Sequence, residues 1–237
     1  MYKARKLVAA IFVAMLMLCV HAAFAAPAAS GDLEKERVLR KLDEGAKNFH
    51  TTSADFEFDV VETAPIADKD VQKGTIYFER TAGSFQMAAH IRQLNGKISE
   101  KVYSYTSGVF KFYEKLTNQV TRFKKVSQYE SYLMLGFGAS GKDLEQKWEI
   151  KYLGPETLDG VKTEKLELVA KDPSARKYAS KVTLWMDTTR AVSLKQVVEQ
   201  DPEHYRVCVY YNIKTNQTLP PDAFALDTNK QTQVVDR

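Results

Sequence analysis

Gly74-Thr75-Ile76-Tyr77-Phe78-Glu79-Arg80-Thr81-Ala82-Gly83-Ser84-Phe85 reads as a strand, a turn and the start of a second strand. Ile76, Phe78 and Arg80 share one face and Thr75, Tyr77 and Glu79 the other, because side chains alternate across a strand. Ala82-Gly83 then reverses the chain, and so short a reversal joins antiparallel neighbours. The pattern continues outward. Strands are predicted over 84–94, 97–106, 109–115 and 119–126, divided by Asn95-Gly96, Ser107-Gly108 and Thr117-Asn118. Upstream, Phe56, Phe58 and Val60 alternate with Asp55, Glu57 and Asp59, which describes a strand with one wet face.

Two stretches break the period of two. Leu39, Leu42, Ala46 and Phe49 recur at helical spacing behind Asp32, which is placed to cap a helix over 32–47, with Glu34 and Glu36 in its first turn. That stripe must lie on something apolar. Between 127 and 146, Tyr129, Tyr132, Leu133 and Met134 again lie at helical spacing. Gly136-Phe137-Gly138 interrupts the run, and Ser140 can cap a second short helix through Lys147. Strands resume over 148–153, 161–170, 181–187, 191–200 and 204–214, with turns at Asp159-Gly160, Asp172-Pro173 and Asp201-Pro202. A segment over 224–235 closes the chain. The expectation is a mainly β (α+β) fold of ten or eleven antiparallel strands, as a sandwich or a strongly curved sheet.

The N-terminus reads as an export signal. Lys3, Arg5 and Lys6 precede an apolar run over 7–20, and Ala23-Phe24-Ala25 supplies the small residues that a signal peptidase reads. The run is short for a spanning helix, which needs about 20 residues, so cleavage is predicted near Ala26 and the protein is expected to be periplasmic. Residues 1–25 are then signal, 26–31 a linker and 32–237 one domain. Removal of Lys3, Arg5 and Lys6 lowers the formal charge from +4 to +1. A near-neutral balance without like-charge blocks gives no footprint for nucleic acid. Cys19 leaves with the signal, and Cys208, then alone, has no intramolecular disulfide partner.

Motifs for chemistry are sparse. Gly136-Phe137-Gly138-Ala139-Ser140-Gly141-Lys142 nearly spells a phosphate-binding loop, but Asp143 stands where Ser or Thr would hold magnesium, and no buried strand precedes it. Its glycines read better as a hinge at Gly136, Gly138 and Gly141. His50, His90 and His204 form no metal-ligand spacing, and there is no Gly-x-Ser-x-Gly elbow. No catalytic residue, metal or cofactor is predicted. The informative anomaly is Arg80, in line with the apolar face of its strand. Either it ends the strand and snorkels into water, or that face borders a cavity and the guanidinium bonds the backbone of a covering element. Phe85, Met87, Tyr103, Tyr105, Phe110, Phe112 and Tyr113 lie on the neighbouring strands. A sheet curved around two or three helices has surplus apolar surface, which acyl chains are one way to cover.

In order, these elements resemble the LolA family of periplasmic carriers that ferry lipoproteins to the outer membrane. The segment from Gly74 through Arg80 to Phe85 is similar to the family's early glycine, alternating apolar residues, arginine and phenylalanine. Thr81 stands where the family carries proline, and Met87 about where an aromatic follows. Val207 to Asn216, with Asn212, then Leu219-Pro220 and Phe224, resembles its C-terminal strand and ending. The resemblance implies an incomplete antiparallel barrel whose concave apolar face is covered by helices, here 32–47 and 127–147, with Arg80 tying that lid shut. It implies acyl chains held against Ile76, Phe78, Phe85, Met87, Tyr103, Tyr105, Phe110, Phe112, Leu133 and Met134. The implied partners are lipoprotein acyl chains or lipid, an inner-membrane donor complex and an outer-membrane acceptor, for a monomer that is no enzyme. The alternative is an envelope sensor of the same fold, for which a large further C-terminal domain is expected; the end of the sequence at Arg237 favours the carrier.

Overall fold

Alternation of apolar and polar residues builds almost all of this molecule. The computed structural model describes residues 27–81, 84–123 and 130–237. The signal segment 1–25, the turn at Ala82-Gly83 and the start of the helical insertion, with Tyr129, lie outside the described residues. Helix α1 (Pro27–Lys47) leads into a meander of β1 (Thr51–Glu62), β2 (Asp68–Thr81), β3 (Ser84–Leu94), β4 (Lys97–Thr106), β5 (Val109–Glu114) and β6 (Gln119–Phe123). Helices α2 (Glu130–Leu133) and α3 (Gly141–Lys147) follow. A second meander comprises β7 (Trp148–Leu158), β8 (Val161–Ala170), β9 (Lys181–Asp187), β10 (Val192–Glu199) and β11 (His204–Thr215), and β12 (Gln233–Asp236) ends the chain. Helix α1 takes in 27–31, which the sequence reads as linker. Residues 35–237 form one unit, and 27–34 are the first turns of α1.

Among the described residues the twelve strands make one sheet, in the order β12-β6-β5-β4-β3-β2-β1-β11-β10-β9-β8-β7. The meanders meet where β1 pairs with β11, and β7 and β12 stay unpaired with each other, so the sheet is open. Register shifts at Ser53/Asp55, Lys73/Gly74 and Ile91/Gln93 insert the irregularities that bend strands. Gly74 sits at one of them, where any Cβ would run into the carbonyl of His90.

The strand total exceeds the expected ten or eleven because the last segment ends as β12, which runs parallel to β6, whereas the sequence predicts only antiparallel neighbours. A parallel partner needs a long crossover. Here residues 217–232 supply it across the convex face, where His90 Nε2 meets the Ala223 carbonyl at 2.8 Å and Tyr113 Oη donates to Asp227 O at 2.7 Å. Phe224 and Leu226 cover Ala88, Val102, Tyr113 and Val120. Tyr113 therefore belongs to the outer face, opposite Phe112.

The concave face carries two apolar clusters. Val38, Leu39 and Leu42 of α1 pack with Leu144 and Trp148 against Leu166, Leu168, Val182, Leu184 and Met186. Beside them, Phe49, Phe56, Ile76, Phe78, Phe85 and Met87 form the second cluster, with Leu133 and Met134 packed against it. The helical stripe predicted for α1 is thus the part that is buried.

Candidate functional site

Under α2 the second cluster is incompletely filled. An apolar cavity of about 380 Å³ opens there, within the roughly 300–1,000 Å³ usual for ligand sites. Phe56 and Phe58 of β1 and Cys208 and Tyr210 of β11 make its floor. Ile76, Met87, Tyr103 and Phe110 form a wall across β2 to β5, Ala89, Ile91 and Gln72 complete it, and Leu133 of α2 contributes the helical side. The register explains the convergence: Phe58 stands opposite both Gln72 and Cys208, and Phe56 opposite Tyr210. Burial pushes the Cys208 thiol up to about 12 and raises the Tyr210 phenol well above its ordinary value, so both polar tips stay protonated.

Of the residues expected to hold cargo, Ile76, Met87, Tyr103, Phe110 and Leu133 line this cavity. The others do not. Phe78 is fully buried between Phe49, Phe85 and Phe137 in a packed aromatic wedge. Tyr105 stacks on Phe85 at 4.8 Å, and Phe112 on Tyr103 at 4.7 Å, so each backs a neighbour. Phe85 and Met134 border a separate cleft of mixed polarity beside Arg80, Asp143 and Lys147. Phe56, Phe58, Cys208 and Tyr210 were not in the expected set, although the alternation of Phe56 and Phe58 marks an apolar face.

Arg80 does not snorkel into water. Its Nη1 donates to Ala46 O at 3.0 Å, at the end of α1, and its Nη2 donates to Gly138 O, in the loop before α3. The guanidinium carbon lies 5.8 Å from the centre of the Phe49 ring. One side chain on the sheet thereby joins both helical elements, and a charged donor strengthens each bond.

The glycine segment is anchored as well. Gly138 N donates to Ala191 O at 2.8 Å, Ser193 N donates to Gly136 O at 2.8 Å, and the buried Gln196 Nε2 donates to Leu135 O at 2.8 Å. Gly136 and Gly138 adopt φ of 85° and 67°, and a Cβ on either would meet Gln196 or the Phe49 ring. Gly141 has no such φ, but its Cβ would strike the Leu39 carbonyl. These glycines permit close packing on α1 and β10, a role the sequence reading as a hinge did not include. The near phosphate loop resolves as a helix cap: Ser140 Oγ accepts from Asp143 N at 3.1 Å, and Asp143 Oδ2 accepts from Ser140 N at 3.2 Å. Among the described residues no group of three or more His, Cys, Asp or Glu could hold a metal ion, and no helix is long and apolar enough to cross a membrane.

Neither a family model nor a curated protein matches this sequence. Solved structures do. An uncharacterized conserved protein from Thermus thermophilus superposes with a TM-score of 0.53 at 12% identity, covering 86% of this chain and 99% of that one. MucB superposes with a TM-score of 0.50 at 13% identity, over 86% of this chain and 66% of its own. A LolA superfamily protein from Nitrosomonas europaea is also similar, at a TM-score of 0.42 and 13% identity, covering 81% of this chain and 98% of that one. The first two likenesses show a shared fold.

Proposed function

We propose that this protein is a periplasmic carrier that holds the acyl chains of a lipoprotein, or of a lipid, in the cavity beneath its helices and delivers them toward the outer membrane, with no bond made or broken. The observation that carries the reading is the 380 Å³ cavity left open on the concave face, with an almost wholly apolar lining. Each methylene buried there contributes roughly 0.8 kcal/mol, so about eight of them supply some 6 kcal/mol, enough to bind and enough to make release slow. Release needs the lid to move. From Leu135 onward the chain is bonded to β10, so movement starts at Leu133 and Met134, which swing on the fixed end that Gly136 provides. Arg80, which reaches both Ala46 O and Gly138 O, holds the anchored base on which this movement occurs.

The test is binding of a fluorescent long-chain fatty acid to the purified protein, with mass spectrometry of its organic extract. Met87→Asp, which puts a charge on the cavity wall, is expected to weaken the probe at least about tenfold. Arg80→Leu is expected to keep probe binding but change the rate of cargo transfer to acceptor vesicles. A protein that carries no lipid and binds no probe is not a carrier. The fold likeness to MucB supports a second reading, a sensor that couples lipid in this cavity to a protein partner, as MucB has been solved in complex with MucA. Capture of a membrane regulator that lipid releases, without transfer to acceptor vesicles, would favour the sensor.

A further inference from the structure

In the antiparallel meander alternate turns fall at the same end of the sheet. The turns joining β1 to β2, β3 to β4 and β5 to β6 share one end, and the turn between β10 and β11 reaches it too, because Thr63 N donates to Glu203 O at 2.9 Å. Each of the three hairpins presents a large aliphatic side chain to solvent: Ile66 is 79% exposed, Ile98 just past Asn95-Gly96 is 88% exposed, and Leu116 is 93% exposed. The opposite end is different. Among the described residues there, the turns at Ser107-Gly108, Asp159-Gly160 and Thr188 to Arg190 carry no comparable side chain.

The cavity points the same way. Arg80 ties the helices near the end that holds the β4–β5 turn, whereas the cavity extends along β1 from Phe56 to Phe58 and along β2 from Ile76 to Gln72, toward Ile66. We infer that the Ile66, Ile98 and Leu116 tips form a contact with a lipid bilayer surface, on which the protein stands while acyl chains enter or leave the cavity. The inference rests on the carrier reading for its purpose but not for its test.

A bilayer fits these tips better than a protein partner does. They are single aliphatic groups on three separate hairpins, Ile98 at the start of β4, and a protein interface needs a continuous buried core, whereas the bilayer interface accepts each side chain independently. Attraction to anionic headgroups is not the driving force. Lys115 is paired with Glu100 at 2.8 Å and Asp227 at 3.4 Å, and Lys69 with Asp59 at 2.6 Å, so of the lysines flanking the tips only the exposed Lys97 beside Ile98 is left for a headgroup. Binding should therefore change little between low and high salt.

The experiment is flotation of the exported protein with vesicles of phosphatidylethanolamine and phosphatidylglycerol. The Ile66→Ser, Ile98→Ser, Leu116→Ser triple variant is expected to lose vesicle binding by on the order of tenfold or more while keeping its melting temperature and its fatty-acid probe affinity. An environment-sensitive dye on Leu116→Cys should shift to the blue when vesicles are added, and the same dye on Ser107→Cys, at the opposite end, should not. Absence of vesicle binding, binding that survives the triple substitution, or an equal shift at both dye positions overturns the inference; so does a triple variant that loses a protein partner but keeps vesicles. Loss of probe binding in the unsubstituted protein would instead count against the carrier reading.

Discussion

Cys208 and Arg80 show how much a single side chain depends on the face it occupies. Cys208 is on the cavity floor, and burial outweighs the favourable contact with Tyr210, which is why its thiol is pushed up to about 12. Only the thiolate reacts with alkylating reagents, so at about pH 8 the folded protein should label on the order of a thousandfold more slowly than a free cysteine with a pKa near 8.5. Labelling should accelerate as the pH is raised and jump to the ordinary rate in urea. A native rate equal to that of a free thiol would mean that water reaches the cavity floor. Arg80 makes the complementary point. Its place on an apolar face was legible in the sequence, but two readings of it were open, and only its bonds to the Ala46 and Gly138 carbonyls tell a guanidinium in water from one held by backbone.

At the scale of elements, packing rather than backbone freedom explains the glycine segment. Gly138 and Gly96 both adopt positive φ, 67° and 74°, but a Cβ at Gly138 meets the Phe49 ring and one at Gly96 meets nothing within 4 Å. The backbone penalty for alanine is about 1–2 kcal/mol at each. Overpacking adds about 1–3 kcal/mol at Gly138 alone, so Gly138→Ala should lower unfolding stability by roughly 2–5 kcal/mol in urea titration, and Gly96→Ala by about 1–2. Equal losses would show that Phe49 yields freely, and the segment would then be looser than its bonds to β10 indicate. Most element boundaries were readable, because alternation and turn dipeptides report backbone geometry directly. The first half of β2 was not: Asp68 to Lys73 has no apolar alternation, and it joins β1 through the pairs Lys69–Asp59 at 2.6 Å and Lys73–Glu57 at 2.7 Å. The second half of β7 escaped for a related reason, since an edge strand carrying Gly154 and Pro155 lacks the signature of a paired one.

At the scale of the whole molecule, the sequence marks which residues face inward but not where the inward face fails to close. Phe78 and Met87 look equivalent in the alternation, yet one is wedged among Phe49, Phe85 and Phe137 and the other borders empty space. That distinction arises from curvature and from the reach of α2, which local pattern does not encode. It has a thermodynamic consequence. A void lined by Phe, Ile, Met and Leu forgoes contacts that a filled core would make, so any occupant should stabilise the fold by linkage. A long-chain amphiphile at 100 times its dissociation constant adds about 2.7 kcal/mol, which for a protein of this size raises the melting temperature by roughly 5–10 °C. Filling the space covalently should separate stability from binding. Ala89 lies on the cavity wall, so Ala89→Leu is expected to raise the melting temperature of the empty protein, to weaken the amphiphile and to shrink the shift that it produces. An amphiphile that binds tightly without raising the melting temperature, or whose shift survives Ala89→Leu unchanged, would place its site elsewhere than beneath Leu133.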